Sequence, residues 1–304
     1  MNALSSTHKH PSHGTGILNG TLKVNGQPHG SLRPGEPAQL AFEFTQADNG
    51  QAVTTFETDH DKFMHTIVVS EDLSHFAHIH PSLGQDGQFR LDINSATTDP
   101  DNQDAARTVE TPGSHLVFAE VKPAGGESER VAFRLKAEGQ AAPVALTPDL
   151  IGSGQVTRYF SGDGKLGEEG APYKVTLALD DMRPMGMMHF NYHLEAKNAE
   201  NQYENVTDAG NWLGMAGHAV VVGAQGEQPE DRFFNHLHAG GHGGHEGHGG
   251  HKEAGQANGP DFQFMLSGEM PQDGKYKVWS QFQRDGQVLT FPFGFELAGA
   301  RSAS

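Results

Sequence analysis

The 304-residue sequence predicts an all-β protein built from two tandem antiparallel β-sandwiches, and three observations carry that expectation. Short runs rich in Val, Ile and Phe recur along the chain, separated by Gly, Pro, Asn and Asp turns, as in a sandwich. Helical periodicity is nowhere sustained beyond two turns. The same order of runs occurs twice, which is the mark of an internal repeat.

Taken in order, the first set is Gln39–Phe44 (QLAFEF), His65–Val69 (HTIVV), Gln88–Ile93, His115–Glu120 and Arg130–Leu135. The second is Tyr173–Leu179, Met188–Leu194, His218–Val222 (HAVVV), Asp261–Leu266, Lys275–Phe282 and Val288–Phe293. Between the sets, Gly35–Phe44 corresponds to Gly170–Leu179, His65–Val69 to His218–Val222, and Phe76–His80 (FAHIH) to Phe234–His238 (FNHLH). Thr111–Glu120 corresponds to Met270–Ser280, and Val131–Leu135 to Phe291–Phe295. The expected organisation is a His-containing tail at 1–16, a sandwich at 17–137, a Pro- and Ala-rich linker at 138–150, a second sandwich at 151–298 and a tail at 299–304. A Gly/His-rich loop at 239–259 interrupts the second sandwich; Gly at that density cannot pack a core.

Composition narrows the chemistry. With no Cys, thiolate zinc sites, iron–sulfur clusters, disulfides and cysteine nucleophiles are excluded, so a metal must be held by imidazole, carboxylate or thioether. A net charge of −17 with no basic block argues against nucleic acid and anionic membrane surfaces as partners. No apolar run approaches the roughly 18 residues of a membrane span. Residues 1–16 lack the apolar segment of a signal peptide, which leaves either a cytoplasmic protein or one whose leader has been removed. P-loop, HExxH and GxSxG motifs are missing from the sequence, and GDGKLG at Gly162–Gly167 reads as a turn rather than a nucleotide loop.

The excess is in histidine, 19 residues in all. Strand alternation puts His65, Ile67 and Val69 on one face, and Phe76, His78 and His80 on one face. A hairpin pairing Val69 with Phe76 then sets His65 opposite His80; in the second copy, pairing Val222 with Phe234 sets His218 opposite His238, with His236 beside them. Opposed Cβ atoms lie about 4.5–5.5 Å apart, so each copy is expected to gather three imidazoles at one end of an inward face. Such a set suits zinc, copper, iron or nickel and leaves a position open for a fourth ligand. In the first copy that ligand is His60, His75 or Met64; in the second, Met215 is nearest in sequence. The opposing interpretation is a structural network in which the same rings bridge backbone groups.

Two further groups have metal-binding composition. His242, His245, His248 and His251 recur every third residue in the Gly-rich loop, the pattern of loose multi-site binding of copper, nickel or zinc, or else of a solvated linker. Met182, Met185, Met187 and Met188 lead into His189 and His193; thioether sulfur selects cuprous copper, although Met is equally an ordinary core filler.

The segment His60–Pro81, HDKFMHTIVVSEDLSHFAHIHP, followed by PGSHLVFAEVKPAGG, resembles the first domain of a group of bacterial exported proteins with immunoglobulin-like folds and H-x-K-x-x-H … H-x-H-P motifs. His60, His65, Asp72, Leu73, His78, His80 and Pro81 carry the match; Asn211–Val222 and His236–His238 resemble the second domain, with Ala239 in place of the Pro. The resemblance implies an immunoglobulin-like fold, a periplasmic or extracellular location and a loose likeness to CopC-type copper-binding sandwiches. The expected function is therefore non-enzymatic transition-metal binding, with copper first and zinc or nickel as alternatives, in buffering, delivery or resistance. Metal ions and another envelope metal-handling protein are the expected partners. A structural or adhesive envelope module is the alternative, and a His-ligated metalloenzyme the third.

Overall fold

A computed structural model describes residues 16–140, 142, 144–239 and 259–298. The chain is all-β, as the sequence predicts, and its described residues form four sheets arranged as two sandwiches. The sheet of the first sandwich that matters for function runs Ser31–Leu32, Glu129–Ala137, Gly113–Pro123, Met64–Ser70, Phe76–Ile79. Its counterpart in the second runs Leu150–Ile151, Gln287–Leu297, Gly274–Arg284, Gly217–Gly223, Phe234–Ala239. Even the pairing sense repeats: the short outer strand is parallel to its neighbour in both, and the other strands of these sheets pair antiparallel.

Each sandwich closes on its own core. In the first, Leu40, Phe42, Phe44, Val68, Phe89 and Val117 are buried together; in the second, Leu177, Phe190, Phe264, Val278 and Phe293. A third cluster belongs to neither core: Ile67, Val69, Leu116 and Phe118 of one sandwich meet Val220, Val222, Phe234 and Trp279 of the other. The strands Met64–Ser70 and Gly217–Gly223 are consequently buried at every residue, because alternate side chains enter the home core and the joint between sandwiches. Stacked aromatic pairs fix the joint, Phe118 on Phe234 with centroids 4.4 Å apart and Phe76 on Trp279 at 5.0 Å.

This corrects the expected orientation of the histidine face. His65 shares its face with Ile67 and Val69, and that face points out of its own sandwich into the joint.

Candidate metal centre

The predicted hairpin registers are those observed. Val69 pairs with Phe76 and Ile67 with His78, which sets His65 against His80 at the end of the ladder. Val222 pairs with Phe234 and His218 with His238. What spacing alone leaves open is that both hairpins deliver their histidines to the same place. His65 lies 5.4 Å from His236 and His78 lies 5.0 Å from His236 between ring centroids, so the two triads form one cluster straddling the joint.

Within the first triad, hydrogen bonding determines which nitrogen of each ring carries the proton. His65 Nε2 donates to the Asp59 carbonyl at 2.9 Å and His80 Nδ1 to the Asp101 carbonyl at 2.7 Å, since a carbonyl only accepts. His78 Nδ1 donates to Gln281 Oε1 at 2.8 Å; the amide is oriented by Gln281 Nε2, which donates to Thr290 Oγ1 at 3.1 Å. The remaining nitrogens, His65 Nδ1, His78 Nε2 and His80 Nε2, then carry lone pairs only, yet they face one another at 3.3 and 3.2 Å. Burial pushes the imidazoles of His78 and His80 well below their ordinary range and His65 down to about 4, so near neutrality no added proton relieves this convergence. A cation does. Bonds of about 2.0–2.1 Å in tetrahedral geometry put ligand nitrogens about 3.3 Å apart, the spacing His78 Nε2 keeps from each of the other two.

The second triad repeats the arrangement. His218 Nε2 donates to the Trp212 carbonyl at 3.0 Å, and His218 Nδ1 lies 3.3 Å from His236 Nε2. His236 Nδ1 donates to Glu120 Oε2 at 2.9 Å. His238 Nε2 is buried without a hydrogen-bond partner, a cost that a coordinated ion removes. In each triad the three candidate ligand atoms lie within 4.8 Å of one another, and both groups can hold a metal ion.

Hydrogen-bond partners behind His65, His78, His80, His218 and His236 hold these rings in place, as metal-ligating imidazoles require. Each sandwich supplies the partner for the other's central ring: Glu120 and Gln281 occupy equivalent positions, facing His65 and His218 in their own sheets. The carbonyls of Asp59 and Trp212 sit in equivalent two-residue turns, with His60–Asp61 and Leu213–Gly214 at positive φ. A 3-10 helix, Pro100–Arg107, clamps the first hairpin: Asn102 Oδ1 accepts from the His80 amide at 2.6 Å and Asp104 Oδ2 from the His78 amide at 2.9 Å. Glu120, Gln281, Trp212 and this helix are not among the site residues that the sequence singles out.

Other expected ligands fall elsewhere. His60 stands over His238 with ring centroids 4.0 Å apart, beside the second triad, and is in neither group of converging ligand atoms. His75 bonds the Thr108 carbonyl at 3.0 Å, and Met64 is buried in the first core. Met185, Met187, Met188 and His189 lie on or beside the strand Met187–Lys197, in the other sheet of the second sandwich. There Met188 is buried in the core, strand alternation turns Met187 and His189 to the opposite face, and Met185 is exposed. The expected thioether site is corrected for Met188, a fully buried member of the second core. His242, His245, His248 and His251 lie outside the described residues.

A family model described as "Domain of unknown function (DUF8832)" matches residues 17–139 and 168–299. No curated protein is found to be similar to the chain. Among solved structures, dimeric latent PorU from Porphyromonas gingivalis is similar at 10% identity and a TM-score of 0.25, over 94% of this chain and 24% of that one; the chain thus spans about a quarter of its length. A tetra-tandem repeat from the extending region of a large adhesion protein is similar at 10% identity and a TM-score of 0.25, over 92% of this chain and 75% of that one.

Proposed function

The chain belongs to the DUF8832 family, and from its geometry we propose that it is a metal-handling protein binding two transition-metal ions in tri-imidazole sites at the joint of its sandwiches. The observation that carries this is the convergence of three proton-free ring nitrogens, with His78 Nε2 3.3 Å from His65 Nδ1 and 3.2 Å from His80 Nε2 and all three within 4.8 Å, each ring held from behind by a fixed acceptor. All-imidazole donors suit copper, zinc and nickel, and copper is the cargo we favour. Burial of the first triad fits retention and transfer of an ion better than turnover of a substrate, so the role is buffering, delivery or resistance. An envelope location, with the Gly/His loop gathering ions and a second envelope protein receiving them, completes the reading.

The decisive experiment uses the full-length chain with His242, His245, His248 and His251 replaced by alanine, which silences the loop. After loading with copper or zinc and gel filtration, elemental analysis is expected to find two ions per chain. Retention of none would sink the proposal. A purely structural role for the rings instead predicts that His80→Ala lowers the melting temperature equally with and without chelator; the metal reading predicts that chelator removes most of the difference.

A further inference from the structure

The two triads are built on the same plan, and they differ at three places that all point the same way. The first difference is access. A cavity of about 200 Å³ opens beside the second triad, lined by His60, His236, His238, Glu120, Ser128 and Arg130 among others, while His78, His80 and His218 take no part in its wall. His65 reaches that cavity, but its Nε2 is bonded to Asp59 and its Nδ1 faces His78. Among the described residues the first triad has no such opening: the indole of Trp212, which also packs on His218 at 4.9 Å, is centred 5.3 Å from His78 and 5.9 Å from His80.

The second difference is the residue at the turn. His60 of the first sandwich lies over His238, with its side chain 35% exposed. Its equivalent in the second sandwich is Leu213, a buried side chain that coordinates nothing. The third is the acceptor behind the central ring: a carboxylate, Glu120, for His236, and an amide, Gln281, for His78. A carboxylate raises the basicity of the ligand it holds and adds a negative charge that offsets an incoming dication.

We propose that the triads have separate tasks: His65, His78 and His80 keep a resident ion, while His218, His236 and His238, with His60 as fourth imidazole, form the exchange site through which an ion passes to and from the cavity. This rests on the metal-handling reading above and extends it to which ion moves. The chemical class taken up is a divalent or cuprous ion preferring imidazole, arriving through a port lined by His60 and Glu120.

The test is chelator-driven release of zinc from the full-length, loop-silenced chain, followed with a chromophoric chelator. The expected record has two phases of one ion each, at least tenfold apart in rate. His60→Leu, which gives the second triad the residue found at the first, should weaken the fast ion by 10- to 100-fold and leave the slow phase unchanged. His80→Ala should remove the slow phase alone; should that variant fail to fold, the His60→Leu comparison stands without it. Two ions leaving at one rate, or a His60→Leu effect equal on both, would overturn the separation of tasks while leaving the metal reading intact. Retention of no ion would overturn both.

Discussion

Glu120 of the first sandwich accepts the Nδ1 proton of His236 of the second at 2.9 Å, so a ring that points its other nitrogen at a metal position is oriented by the opposite half of the molecule. Replacing this carboxylate by the amide found at the equivalent position, Glu120→Gln, retains shape and removes charge. Metal affinity is expected to fall 10- to 100-fold at one site of the two, the usual cost of losing such a support. Isothermal titration should resolve one weakened and one unaltered site; two equally weakened sites would contradict the assignment of Glu120 to the second triad.

The joint between sandwiches has to position both triads. Phe234 is 3% exposed, stacks on Phe118 and lies two residues before His236. Phe234→Ala is expected to cost about 3–5 kcal/mol in denaturant unfolding and to lower the number of ions retained. Phe264, buried in the second core, offers the control, since Phe264→Ala should cost a similar amount with the bound-ion count unchanged in the folded fraction.

Ions that bind only the folded chain stabilise it by mass action. At free metal 100-fold above the dissociation constant, each site adds about 2.7 kcal/mol. Thermal unfolding should therefore shift upward with added zinc or copper and return on chelation. In a His65→Ala, His218→Ala double variant, which lacks one ligand in each triad, most of this shift should vanish. A shift of full size in that variant would place the stabilising ion elsewhere.

Acid should destabilise the fold through a residue outside the metal cluster. Burial, with the neighbouring His75 adding to it, pushes the His115 imidazole down to about 4, and its Nδ1 has no partner. The unfolded chain takes up this proton near the ordinary value of about 6.5, so the neutral ring contributes stability above that pH, lost progressively as pH falls from about 6.5 to about 4. The contribution is up to about 3 kcal/mol. His115→Leu should flatten the stability profile across this window by that amount, measured by denaturant unfolding of the metal-free protein; an unchanged slope would contradict it.

The hairpin geometry was legible because alternation and a two-strand register leave few choices: once Val69 faces Phe76, His65 must face His80. The meeting of the two triads was not, since no rule of spacing relates residues on different sandwiches. A signal was nevertheless present. HTIVV and HAVVV are apolar on both faces, and in an antiparallel sheet that means both faces are covered. The outer partners were hidden by a single-residue offset: comparing the repeats by sequence sets Glu120 against Ser280, whereas the ladders set it against Gln281. A shift of one residue moves a side chain to the opposite face. Met188 failed for another reason, because a thioether is as good a core filler as a ligand, and only its place in the second core decides.

Reciprocal support across the joint bears on how far the two sites can differ. An interface in which each half orients the other's ring has the form of a two-fold homodimer, in which any substitution appears on both sides at once. Joining the halves in one polypeptide lifts that constraint. Glu120 differs from Gln281, and His60 from Leu213, so one polypeptide carries two sites of one plan whose surroundings are free to be unlike.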